Sequence, residues 1–206
     1  MGVSANLLAV IAVVFVLQAV IPPLTGAFVF DPALAFTQPW RFVTSMFLHA
    51  DITHIFFNCY ALFLFGSMLE RKVSARDYLL IYFGAGLVGG MFYYATYAFG
   101  MIPDIPALGA SGAIYGLLGA CVFLFPHVRL LFMGFVPMSM RTAAIAWFVM
   151  EFLGTFDPSS GVASAAHLGG LLFGLLCGWY LAGRGSSGAQ FYYEAKPAYP
   201  WQDESR

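Results

Sequence analysis

Three short stretches of this 206-residue chain hold side chains able to do nucleophilic or acid–base chemistry. In "GASGAIYG", Ser111 stands between Gly109 and Gly112. In "SAAHLGGLLFG", His167 precedes Gly170 and Gly174. In "HADITHIFFNCY", His54 and Asn58 are four residues apart and share one face if the segment is helical. A serine hydroxyl is a poor nucleophile at neutral pH and needs an adjacent base, for which imidazole has a suitable pKa. Two side-chain donors on one face can steady a developing oxyanion. Nucleophile, base and oxyanion donors are together the parts of an acyl-transfer site. Each stretch also has a plainer reading. Gly112 and Gly116 have the spacing of a helix-packing seam, and a His/Asn pair or a single histidine can serve as an interhelical hydrogen-bonder. The soluble hydrolase elbow G-x-S-x-G is not matched, because Ala113 stands where its last glycine belongs. His49, His54 and His167 could offer nitrogen ligands, but H-E-x-x-H is missing, so neither a metal nor another cofactor is expected.

The elements that must position these residues are membrane helices. The chain is 61% hydrophobic and 9% charged, with a mean hydropathy of +0.81, whereas a soluble domain carries roughly 25% charged residues. Lipid is therefore its main solvent and the bilayer its first partner. A net charge of −1 gives no footprint for nucleic acid. Cys59, Cys121 and Cys177 lie far apart in apolar runs and read as small buried hydrophobes. Six apolar segments, near 5–21, 52–70, 77–99, 111–126, 138–155 and 164–182, have roughly the length that spans a bilayer. Pro22 and Pro23 stop the first, which reads as a retained helix and not a removed leader. Asp51 caps the second, Pro126 ends the fourth, and Asp157-Pro158 closes the fifth. The expected fold class is an all-α membrane protein: a six-helix domain over 1–183 and a flexible cytoplasmic tail over 184–206.

Depth and orientation follow. The fourth segment is short, so its first turn falls inside the membrane. Irregular backbone at that depth is tolerated only when buried in protein or lining a wet cavity, which predicts a hydrated pocket at the GASG turn. Of the nine Lys and Arg residues, all but Arg41 fall on one side of the predicted topology. The positive-inside rule then makes both termini cytoplasmic, in a multi-pass protein of the cell membrane. The first connection, 22–51, faces outward and is rich in Phe30, Phe36, Trp40, Phe42 and Phe47, so it is expected to lie in the interface. All three polar clusters fall on that outer side. Glu151 and Asp157 fall near the outer end of the fifth segment, but no spacing ties either to His167, and a Ser–His dyad is the simpler reading.

At these motifs the chain resembles the rhomboid family of intramembrane serine proteases. The matching residues are Trp40-Arg41, His54 and Asn58, Gly109-Ala110-Ser111-Gly112, and Ala166-His167 with Gly170 and Gly174. The resemblance covers about 35–182. It implies a six-helix bundle with a hydrated, outward-open active-site cavity. It implies Ser111 as nucleophile and His167 as general base, with His54, Asn58 and the Ser111 N–H as the oxyanion hole. Tyr115 would pack on His167, with Gly109 and Gly112 shaping the site. Glu70 and Arg71 would form a structural pair, and the loop between the fifth and sixth helices a cap over the site. The substrates would be single-pass transmembrane proteins cut near the outer membrane boundary. A second reading is a catalytically inactive relative that binds membrane clients, against which both Ser111 and His167 speak. A channel or transporter would thread polar residues across the whole membrane, whereas here they cluster at one depth.

Overall fold

Prolines and capping side chains set where the helices begin and end. The computed structural model describes residues 2–132, 135–157 and 163–184. Helix α1 (Val3–Val20) stops before the Pro22-Pro23 pair, and Pro23 then opens a short α2 (Pro23–Phe28). Proline suits that first position, where its missing N–H would be unpaired anyway. After α3 (Arg41–Thr44), the Asp51 carboxylate accepts from the His54 N–H at 2.8 Å and caps α4 (Ile52–Ala61). The same helix widens into a π-turn over Leu62–Gly66 and continues as α5 (Ser67–Glu70). Ser74 caps α6 (Ala75–Ala98), and Ser139 caps α8 (Met140–Gly154). Helix α7 (Ser111–Leu124) starts at the GASG turn, and α9 (Ser164–Gly183) closes the bundle.

Val3–Val20, Ile52–Glu70, Ala75–Ala98 and Ser164–Gly183 are long and apolar enough to cross a membrane. Helices α7 and α8, at 14 and 15 residues, occupy the remaining two predicted segments. The outer faces leave large apolar side chains bare, including Val13, Val16, Phe57, Phe63, Ile145 and Trp179. Water would not tolerate so much exposed apolar surface, and the chain is an integral membrane protein. The all-α expectation needs one correction. Between α7 and α8, strands β1 (Arg129–Phe132) and β2 (Val136–Ser139) pair antiparallel, with Arg129 opposite Ser139. Pro126 forces the chain out of the helix, and the segment then satisfies its backbone by pairing with itself.

Helix α7 is the buried centre. Leu117, Ala120 and Cys121 have no exposed surface. On one side α9 touches it backbone to backbone: a Cβ on Gly170 would sit 2.0 Å from the Gly112 carbonyl oxygen, and one on Gly174 2.0 Å from that of Gly116. On α6, a Cβ on Gly89 would lie 2.5 Å from the Ala166 carbonyl oxygen of α9. Bilayer helices cannot rely on hydrophobic association, so close small-residue contacts must hold them together. Elsewhere, Glu70 accepts from the Ser4 N–H and ties α1 to α5, while Arg71 is exposed. The expected tail lies outside the described residues from 185 onward.

The seam makes a direct prediction. Gly174→Ala overpacks α7 against α9 and lowers stability by about 1–3 kcal/mol, read as a lower thermal midpoint in detergent. Gly183→Ala is the control, because no atom lies within 4 Å of its added Cβ.

Candidate active site

Ser111 is the first residue of α7, and the chain enters it through Gly109 at φ +126°. L-residues with a Cβ rarely adopt that conformation, and here a Cβ would also lie 2.7 Å from His54 Nε2. Glycine therefore lets the α7 start press against α4. The Gly109 N–H donates to the Ser45 carbonyl at 2.9 Å. The first N–H groups of a helix have no partner within it, so the start of α7 offers free donors and the positive end of the helix dipole.

The glycine seam sets Ser111 Oγ 2.7 Å from His167 Nε2. Tyr115, one turn after Ser111, stacks on the His167 ring at 4.5 Å between centroids and 9° between planes. On α4, His54 Nδ1 accepts from the Ala50 N–H at 3.4 Å, a long contact that favours the proton on Nε2. That nitrogen faces Gly109 and the start of α7. Asn58 is buried; its Nδ2 donates to the His54 carbonyl at 3.0 Å, while Oδ1 has no hydrogen-bond partner. Gly112 points away from this cluster, towards the Ala166 backbone of α9. His54, Asn58, Ser111 and His167 line one cavity of about 560 Å³, with Asp51 and Asp157 on the same wall. The structure thus brings together every polar residue picked out from the motifs. The expected cap between α8 and α9 falls largely on 158–162, outside the described residues.

Two features were not read from the motifs. His49 is fully buried, neither ring nitrogen has a hydrogen-bond partner, and its ring packs 5.0 Å from that of His54. Burial, and then the neighbouring His54, push its pKa down to about 4, so it is neutral at pH 7. The other is Glu151. Its Oε1 lies 3.0 Å from His167 Nδ1, the ring nitrogen that Ser111 does not meet, and accepts from the Tyr115 hydroxyl at 2.5 Å. The Nδ1 contact has ion-pair distance but not the direction of a good hydrogen bond. The available signal was one acidic side chain in the apolar run AIAWFVMEFLG, an expensive placement that normally marks a partner.

The connection between α1 and α4 is built into the same assembly. Phe30 and Ala107 exchange backbone hydrogen bonds of 3.0 and 2.8 Å. Arg41 is buried and donates from Nη1 to the Gly26 and Val29 carbonyls and from Nε to Gln38 Oε1. Trp40 beside it is half exposed.

A serine–imidazole pair thus lines a cavity inside a bundle of membrane helices. Residues 36–184 match the Rhomboid domain family model, and the chain belongs to the rhomboid family. It is 32% identical over 149 residues to Rhomboid protease GlpG of Haemophilus influenzae, covering 69% of this chain and 70% of that one. It is 34% identical over 149 residues to the mitochondrial Rhomboid protein 1 of Saccharomyces cerevisiae, covering 71% of this chain. That match spans 43% of the yeast protein, less than half its length. Rhomboid protease AarA of Providencia stuartii is 32% identical over 153 residues, 66% of this chain and 54% of that protein.

Gly109→Ala tests the entry to α7. Forcing an alanine into the left-handed region costs about 1–3 kcal/mol, so the thermal midpoint falls. The added methyl also displaces His54, so its ring signal shifts in a histidine NMR spectrum of the folded variant.

Proposed function

We propose that the chain is an intramembrane serine endopeptidase that cuts single-pass transmembrane proteins near the outer membrane boundary. The observation that carries this reading is the 2.7 Å contact between Ser111 Oγ and His167 Nε2 at the wall of a cavity that His54 and Asn58 also line. In this reading six helices span the bilayer, both termini are cytoplasmic and the cavity opens outward. Residues 1–183 form the protease domain, and 184–206 a cytoplasmic tail.

Ser111 Oγ attacks the scissile carbonyl carbon while its proton passes to His167 Nε2. The carbonyl oxygen takes up the displaced electron pair and lies against the Ser111 N–H, His54 Nε2–H and Asn58. His167 then gives the proton to the departing amine, leaving an acyl-enzyme that water hydrolyses by the same route in reverse. One turn of a substrate helix, 10–12 Å across and 5.4 Å long, occupies about 420–610 Å³. The cavity of about 560 Å³ therefore takes a short stretch of chain and not a whole helix. A helix also hides its carbonyls in its own hydrogen bonds. The favoured substrates are thus segments that unwind locally, with helix-breaking or small residues near the cut.

Cleavage of a reporter transmembrane substrate in liposomes tests this reading. The wild type is expected to cut, and Ser111→Ala and His167→Ala to lose nearly all activity. His54→Ala is expected to fall about 10²–10³-fold, the usual cost of one oxyanion donor, and Asn58→Ala by a smaller factor. Full activity in Ser111→Ala would end the serine-protease reading. Client binding by a wild type that never cuts would establish the inactive-relative reading in its place.

A further inference from the structure

We propose that Glu151 is the third member of the site, a positioning residue that holds His167 with its proton on Nδ1 and stabilises the imidazolium formed during catalysis. The inference rests on the serine-protease reading above and extends the Ser–His dyad to Ser111–His167–Glu151.

The geometry carries it. His167 is gripped on three sides. Ser111 Oγ meets Nε2 at 2.7 Å, Tyr115 covers one ring face at 4.5 Å, and Glu151 Oε1 approaches Nδ1 at 3.0 Å. Among the described residues, Nδ1 is buried and has no aligned hydrogen bond to another group. The Tyr115 hydroxyl donates to the same Oε1, so the residue that stacks on the imidazole also fixes the carboxylate beside it. An acidic side chain inside an apolar helix is costly and is normally kept by a partner. Here the partners are the general base and the ring stacked on it.

The proton bookkeeping fits the arrangement. As Oγ bonds to the carbonyl carbon, the Oγ–H pair stays on oxygen and the proton moves to Nε2. The ring then carries both N–H bonds and a positive charge beside the Glu151 carboxylate. When the C–N bond breaks, the Nε2 proton leaves with the amine and Nδ1 keeps its own. Glu151 exchanges no proton; it fixes which nitrogen is free to act as base. Among the described residues, the other titratable groups facing this ring or its cavity are Tyr115 on α7, His54 and the capping Asp51 on α4, His49 behind His54, Tyr93 on α6, and Asp157 after α8.

Two measurements decide it. The first follows the rate of fluorophosphonate labelling and of reporter cleavage against pH in the wild type and Glu151→Gln, both checked for equal thermal midpoints. Removal of the carboxylate's charge is expected to displace the acid limb of that profile and to lower kcat about 10- to 1000-fold, with KM little changed. An unchanged acid limb in Glu151→Gln overturns the proposal, whatever happens to the rate. The second reads the tautomer of neutral His167 in the wild type by ¹⁵N-histidine NMR, assigned by loss of the signal in His167→Ala. A proton on Nδ1 is expected, and a proton on Nε2 overturns the proposal even if Glu151→Gln does not fold. Failure of the protease reading looks different: the wild type itself neither labels nor cuts.

Discussion

The contact on which the rest of the molecule depends is the bare-backbone seam between α7 and α9. Two helices with ordinary side chains pack with their axes 8–10 Å apart. Where Gly170 and Gly174 face the carbonyls of Gly112 and Gly116, no Cβ fits between them. That closeness joins a side chain at the start of one helix to one at the start of the other. Ser111 lies one residue before Gly112, and His167 three before Gly170, so the seam that packs the bundle also sets their 2.7 Å contact. Packing and chemistry share one constraint. In lipid this is economical, because small-residue contact and interhelical hydrogen bonds are the main forces left to join helices.

Depth is the second consequence. The 14 residues of α7 rise about 21 Å, against a hydrocarbon core of about 30 Å. A helix this short leaves backbone to be satisfied below the surface, and the surrounding elements take up that task. Gly109 bonds to Ser45, Ala107 pairs with Phe30, and Arg41 fills the carbonyls of Gly26 and Val29. The connection between α1 and α4 is therefore a folded element tied to the residues that lead into α7. A buried guanidinium is affordable there because three acceptors surround it.

Much of this was legible in the sequence, for stated reasons. Helix ends are local events, so Pro22, Asp51 and Pro126 marked them correctly. The four-residue glycine spacing is a periodic signal, and it named the surface that α9 presents to α7. His54, Asn58, Ser111 and His167 stood out because polar groups are scarce in apolar runs. What escaped were contacts made across elements. Glu151 lies 16 residues before His167 and on a different helix, so no spacing rule joins them. The π-turn over Leu62–Gly66 leaves no mark on a uniform apolar pattern, and the pairing of Arg129–Phe132 with Val136–Ser139 follows from the exit at Pro126 without an alternating pattern to announce it. His49 was seen only as a possible ligand, although its burial against His54 makes it a support for the α4 start.

The position of Glu151 also bears on how a polar site survives at membrane depth. An imidazole that must gain a proton during each cycle is poorly placed in an apolar surround, because its charged form would be stripped of water. The Ser111 side of the ring faces the cavity, but Nδ1 is buried. A carboxylate at 3.0 Å answers that deficit on the dry side, while the Tyr115 hydroxyl keeps the carboxylate itself from being an unpaired buried charge. Each member is tolerable only because the others are present. The polar groups at the start of α7, the outer end of α8 and the start of α9 therefore form one network whose removal in part costs more than any single contact is worth.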